Sequence, residues 1–238
     1  IAVALAQTGA KVGLLDADIY GPNVPTMLGL ENTEVQVEKN PAGDILQPAF
    51  NYGVKMVSMG FLIDPDQPVI WRGPMLNGII RQFLYQVNWG ELDYLVVDMP
   101  PGTGDAQLTM AQAVPMAGAI IVTTPQTVSL QDARRGLKMF EKTEVPILGI
   151  VENMSYFLAP DTGKEYKLYG ESKTDQIAEK YDYDILSRIP HDPLLLEQCD
   201  KGHPLTDLVP DHKVSKLFID MAETIIKKLK LERLSETI

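Results

Sequence analysis

The chain has 238 residues, 45% hydrophobic and 22% charged, which is ample for one sizeable core and favours a single α/β domain over 1–238 rather than two. A net charge of −11 disfavours nonspecific nucleic-acid binding, which needs a basic footprint. No apolar run approaches the ~18 residues of a membrane span, and the single cysteine, Cys199, forms no internal disulfide and suits a reducing, cytoplasmic setting.

In chain order, residues 1–6 form helix and lack the basic n-region and cleavage signal of a secretory leader. Gly9 reads as a helix end and 11–15 as the next strand. With no initiator Met, the chain is expected to start inside a helix, downstream of further sequence. Apolar runs at 12–15, 94–97, 119–123, 147–151 and 184–189 read as strands. Helices are expected at 75–87, 106–113, 129–143, 173–181, 193–199 and 212–231. This alternation predicts an α/β fold with a doubly wound, mostly parallel sheet flanked by helices. Residues 45–50 and 54–61 read as an inserted hairpin or edge pair, and the polar 32–44 stretch as a surface loop.

Four segments carry chemistry. In Asp93-Tyr-Leu-Val-Val-Asp98-Met-Pro-Pro-Gly-Thr-Gly-Asp105 an apolar run ends on a carboxylate followed by a Pro/Gly turn. A buried parallel strand would deliver Asp98 to the carboxyl edge of the sheet, where open α/β sheets bind ligands. There it can hold a Mg²⁺ shell against nucleotide phosphates; the plainer reading is a strand ending at an acidic turn. Gly102 and Gly104 can present backbone N–H groups to phosphate or let the loop move; alternatively the segment is a rigid connection with Asp105 as N-cap. In Leu14-Leu-Asp-Ala-Asp-Ile-Tyr-Gly-Pro-Asn23, Asp16 and Asp18 could position a water or a Mg²⁺-bound water, or form an Asx turn. Val151-Glu-Asn-Met-Ser155 and Ile189-Pro-His-Asp-Pro193 also end strands. The Asn153 amide suits a base edge, and the two loops together could flank an adenine, although each alone reads as plain loop and His191 as an exposed histidine.

In this order and spacing, the segments resemble the Mrp/ApbC-type iron–sulfur cluster carriers, which belong to the MinD-like and nitrogenase-iron-protein-like P-loop ATPases. The likeness covers essentially the whole chain. Its most specific pieces are Leu15-Asp-Ala-Asp-Ile-Tyr-Gly-Pro-Asn23, Trp71-Arg-Gly-Pro-Met75, Asp93 to Asp105, Thr123-Thr-Pro-Gln-Thr127 and Glu152-Asn-Met-Ser-Tyr-Phe157. The resemblance implies a P-loop NTPase of deviant Walker A type with ATP and Mg²⁺ as cofactors. It makes Asp98 the Walker B carboxylate, acting on Mg²⁺ through water. Asp16 and Asp18 fall in the first switch, Asp18 orienting the attacking water, and 101–105, with Gly102, in the second. Asn153 becomes the adenine reader, with Pro190 and Asp192 lining the base pocket. A homodimer, face to face around nucleotide, and apo iron–sulfur proteins as partners complete the implied picture.

The sequence departs from that family twice. The Gly-rich phosphate-binding loop ending in Gly-Lys-Ser/Thr, with the strand before it, would lie just ahead of Ile1. Its N–H groups and lysine carry most phosphate affinity, so the chain as it stands is expected to bind ATP poorly. The family's Cys-x-x-Cys, two pairs of which hold a bridging [4Fe–4S] cluster, is replaced in Phe157-Leu-Ala-Pro-Asp-Thr-Gly163 by Ala159 and Thr162. Neither is a useful ligand for such a cluster, and Cys199 reads as a small buried hydrophobe. The leading expectation is an ATP-hydrolysing protein of cluster assembly or transfer. The alternatives are a nucleotide-switched scaffold without a cluster and a MinD-like membrane-cycling ATPase. The latter rests on the stripe Val214, Leu217, Phe218, Met221, Ile225, Ile226 and Leu229 beside Lys227, Lys228 and Lys230, which by default packs on the chain's own sheet. A dehydrogenase is disfavoured by the lack of Gly-x-Gly-x-x-Gly after a strand, and a serine hydrolase by the lack of a Gly-x-Ser-x-Gly elbow.

Overall fold

The computed structural model of the protein describes residues 1–18, 21–41, 43–62, 73–102 and 104–235; Trp71 and Arg72 of the 71–75 motif lie outside them, as does the side chain of Asp105. The first half runs α1 (Ala2–Gln7), β1 (Val12–Asp16), α2 (Val24–Met27), β2 (Gln36–Glu38), β3 (Ile45–Gln47), β4 (Ala49–Asn51), β5 (Val54–Ser58), a 3-10 turn (Met59–Leu62), α3 (Gly73–Tyr85), β6 (Tyr94–Asp98) and α4 (Asp105–Ala113). The second runs β7 (Ala119–Thr123), α5 (Thr127–Lys142), β8 (Ile147–Glu152), β9 (Phe157–Leu158), β10 (Glu165–Tyr166), α6 (Thr174–Tyr181), β11 (Ile185–Arg188), α7 (Pro193–Asp200), α8 (Leu205–Leu208) and α9 (Lys213–Ser235).

The strands form two main groups, ordered β4-β5-β1-β6 and β11-β8-β7. Within each, all neighbours are parallel except β4, which runs antiparallel to β5. β6 pairs only with β1 and β7 only with β8, so among the described residues each keeps one unpaired edge.

The 45–50 and 54–61 segments do supply a hairpin, β4 antiparallel to β5 from Ala49↔Met56 to Asn51↔Val54 with β4 at the sheet edge, but its second strand is no insertion. β5 is an interior strand, parallel to β1 in register from Val12↔Val54 to Asp16↔Ser58. Its near-continuous burial explains the run Val54, Met56 and Val57, because parallel strands covered on both faces need apolar residues on both. The 32–44 loop contributes the exposed strand β2, paired antiparallel with β3.

Alternate residues of β1 face two helical layers, as the two-residue period of a strand requires. Leu15 joins Val57, Ile80, Phe83, Trp89 and Met110 in a core under α3 and α4. Val12 and Leu14 join Leu5, Val54, Met56 and Ala222 in a core under α1 and α9. In the other group, α5 and α6 cover one face through Leu130, Leu137, Phe140 and Ile177. On the opposite face, Val214, Met221 and Ile225 of α9 pack with Leu148, Val151 and Ile189. Met99 and Met116 pack against the cores of both groups.

α9 thus buries its apolar stripe on the chain's own strands, and Lys228 pairs with Asp184 at 2.6 Å, so the stripe is not displayed for a lipid surface. No described helix is long and apolar enough to cross a membrane.

Candidate functional site

Four chemistry-bearing segments follow the carboxyl ends of β1, β6, β8 and β11. Register pairs Asp16 with Asp98 directly across β1 and β6, and Ala17 N donates to the Asp98 carbonyl at 2.9 Å. Asp16 is completely buried. Its Oδ2 accepts from Ser58 Oγ at 2.8 Å and its Oδ1 from Asp18 N at 3.2 Å. Ser58 Oγ in turn accepts from Gly60 N at 2.9 Å. Asp18 Oδ1 accepts from Gly21 N at 3.3 Å, shaping the turn after β1.

Three carboxylates so close together repel one another. Burial, opposed by the Ser58 bond, pushes the Asp16 carboxyl up to about 6. Partial desolvation among the strand ends, although the carboxylate still opens to solvent, and then the charge of Asp18 also raise Asp98. A carboxyl raised by folding stabilises the fold below its ordinary value of 3.8, and that contribution is lost as pH rises through about 6. Asp16→Asn, whose amide oxygen can still accept from Asp18 N while its NH₂ donates to Ser58 Oγ, should therefore be more stable than the parent at pH 8. The gap is at most about 3 kcal/mol and closes below pH 4. Denaturant midpoints at the two pH values check this; an equal gap at both would refute it.

After β6, Gly102 sits at φ +98, a conformation that glycine adopts without strain. The buried Gln107 holds this turn by donating from Nε2 to the carbonyls of Pro100, at 3.1 Å, and Pro101. Helix α4 starts at Asp105 with Gly104 in the N-cap position, so Asp105 is not the cap expected from sequence. A cap residue leaves helical φ/ψ, and here the extended Gly104 does so.

The remaining predicted residues form a second set. Asn153 N donates to Thr123 O at 2.7 Å, Ser155 N to Ile189 O at 2.9 Å, and His191 N to Tyr156 O. These bonds place the loop after β8 beside the one after β11. Pro190 is buried there, and His191 is half-buried, edge-on to the Phe157 ring. Asp192 caps α7, accepting from Leu194 N and Leu195 N at 2.9 and 3.1 Å, with His212 Nε2 at 3.8 Å from its other oxygen.

Sequence reasoning missed Ser58, Gln107 and Glu152. Glu152 ends β8 as Asp98 ends β6 and is wholly buried, so the strand-end rule that singled out Asp98 applies equally to it.

Among the described residues no group of three or more His, Cys, Asp or Glu side chains could hold a metal ion. The solvent-facing Asp98 fits a Mg²⁺ held through water with phosphate oxygens completing its shell. The donors for a cluster do not fit at 159 and 162. Ala159 lies in a tight loop, with Gly163 N bonded to its carbonyl at 2.8 Å, and Thr162 is exposed. Burial and the Asp200 charge raise the thiol of the half-buried Cys199, which keeps it protonated and a poor ligand.

The family described as NUBPL iron-transfer P-loop NTPase matches residues 1–226. An iron-sulfur cluster carrier protein of Synechocystis sp. is 62% identical over 235 residues, 98% of this chain and 67% of its own length. One of Aquifex aeolicus is 46% identical over 226 residues, 94% of this chain and 61% of its own length. The chain thus spans roughly two thirds of these curated relatives. Among solved structures, a nucleotide-binding protein in complex with ADP from Archaeoglobus fulgidus is 42% identical. It superposes with a TM-score of 0.72 over 84% of this chain and 77% of its own.

Proposed function

Because the chain belongs to the NUBPL iron-transfer P-loop NTPase family, we propose that it serves iron–sulfur cluster assembly or transfer to apoproteins, driven by Mg²⁺-dependent ATP hydrolysis in the intact protein. The observation that carries this reading is the pair Asp16–Asp98, in register at adjacent strand ends with Asp18 folded over it. Relatives named as cluster carriers, and a nucleotide-binding relative that holds ADP, support it.

In this reading Asp98 holds the water shell of Mg²⁺, which when bound would neutralise charge on the β- and γ-phosphates. Asp18 orients the attacking water. Asp16, locked by Ser58, fixes the backbone that presents Asp18. The turn at Gly102, held by Gln107, lies where a phosphate would be sensed. Asn153 contacts the adenine, with Pro190 and Asp192 beside it. Among the described residues the unpaired parallel edges of β6 and β7 leave room for one further parallel strand between them, which would bring a phosphate-binding loop beside Asp16 and Asp98. The protein acts as a homodimer, and its cluster is carried on ligands other than residues 159 and 162.

Anaerobic reconstitution of the full-length protein tests the cargo half: iron and acid-labile sulfide should be retained and passed to an apo [4Fe–4S] protein faster with Mg-ATP. Intact hydrolysis without iron uptake would refute it. For the catalytic half, Asp18→Ala should slow single-turnover hydrolysis by about 10²-fold while changing nucleotide affinity only a few-fold.

A further inference from the structure

Glu152 is a buried acidic residue to which the proposed chemistry gives no task. It is fully buried, yet its nearest cation, Arg188 Nε, stands 3.7 Å from Oε1 and is itself drawn to Asp175 at 2.6 Å. Its close partners are three hydroxyls. Ser155 Oγ donates to Oε1, and Ser172 Oγ and Thr174 Oγ1 donate to Oε2. The carboxylate thereby clasps both ends of the excursion between β8 and α6. Its Oε1 end bears directly on the loop containing Asn153.

That loop fixes which way the Asn153 amide points. Asn153 Oδ1 accepts from Met154 N at 3.0 Å. Met154 sits at φ +52, a conformation that a side chain of its size adopts only under constraint from its neighbours. The constraint comes from the next residue: Ser155 is held by its N–H on Ile189 O at 2.9 Å and by its hydroxyl on Glu152. With Met154 N–H aimed at it, the amide keeps its oxygen there; a flip would set N–H against N–H. Oδ1 retains a second lone pair, and among the described residues no group accepts from Nδ2.

Adenine places an N6 donor beside a ring-nitrogen acceptor, which an amide of fixed order meets with Oδ1 and Nδ2. Guanine sets its O6 acceptor against the same oxygen. We infer that Glu152 is a positioning residue for base selection: through Ser155 and the Met154 N–H it holds the Asn153 amide in the orientation that accepts adenine and rejects guanine. This rests on the proposal that Asn153 contacts the base.

Steady-state hydrolysis of ATP and GTP by the full-length protein tests it. Asn153→Ala should lower the ATP-to-GTP ratio of kcat/KM by about tenfold, as expected for a lost hydrogen bond. Ser155→Ala and Glu152→Ala should do the same, with the change carried by KM for ATP rather than by kcat. Glu152→Gln should restore the ratio, because its oxygen can accept from Ser155 while its NH₂ donates to the hydroxyls of Ser172 and Thr174. Ser172→Ala, which touches only the far oxygen, should move the ratio less than twofold. If Asn153→Ala loses selectivity while Ser155→Ala and Glu152→Ala keep it, Glu152 is only a structural clasp and the inference falls. If Asn153→Ala also keeps it, base contact by Asn153 falls and the inference with it.

Discussion

Asp98→Asn in the full-length protein should lower the rate of Mg-ATP hydrolysis by about 10²–10³-fold, the usual cost of removing one group that stabilises transition-state charge. The substitution is nearly isosteric, and the bond that ties β6 to the turn after β1, Ala17 N to Asp98 O, uses the main-chain carbonyl. The fold should therefore persist. Removing the charge relieves both its partial desolvation and the repulsion with Asp18, which raise the Asp98 carboxyl, so the variant should be no less stable at neutral pH. Single-turnover hydrolysis beside denaturant unfolding separates the two properties. A parental rate in a folded variant would remove Asp98 from the metal site.

Gly202→Ala should be the most damaging small substitution outside the site. Gly202 sits at φ +71, just past α7, and a Cβ there would come 2.5 Å from Gly29 Cα and 2.6 Å from Gly29 N. Main chain cannot move aside as a side-chain tip can. The Gly202 carbonyl is also fixed by Tyr52 Oη at 2.9 Å, and Leu28 O by Asn51 Nδ2 at 2.8 Å. Left-handed strain and overpacking together should cost about 3 kcal/mol, a fall in Tm of roughly 6–12 °C for a domain of this size. Gly163→Ala separates the two causes: φ is +66 but nothing lies within 4 Å of the new methyl, so only the conformational cost of about 1 kcal/mol should appear. Equal losses in the two variants would mean that the Gly29–Gly202 contact is looser than described.

Five parallel strands, β1, β6, β7, β8 and β11, were legible because each is a short apolar run bounded by turn residues, 119–123 coinciding with β7 and 147–151 falling one residue short of β8, whereas the short β2, β9 and β10 were not. Strand order was not legible. Lys55 inside Val54-Lys-Met-Val-Ser58 suggests the edge strand of a hairpin; β5 does pair with β4, yet it is interior, its Lys55 ammonium reaching the Trp89 carbonyl while both neighbours are buried. Pairing between residues forty apart leaves no trace in local pattern. The carboxylates Asp16 and Asp98 were legible as polar ends of apolar strands. Ser58 was not, since a serine closing a strand resembles any turn residue until register sets it opposite Asp16. Asp192 was expected only to line the base pocket; its capping of α7 was not read, although Asp-Pro opening a helix is a cap signal.

The consequence of α9 lying across both strand groups concerns cooperativity. The two strand groups share side-chain packing as well as strand pairing within each group. α9 contacts both, through Ala222 on one side and Met221 and Ile225 on the other, with Phe218 touching each core. Close-packed side chains interlock and do not deform continuously, so a sliding of one half against the other must break contacts along this one helix. α9 therefore couples the packing of the two strand groups, and a weakened α9 would loosen both cores together rather than one alone.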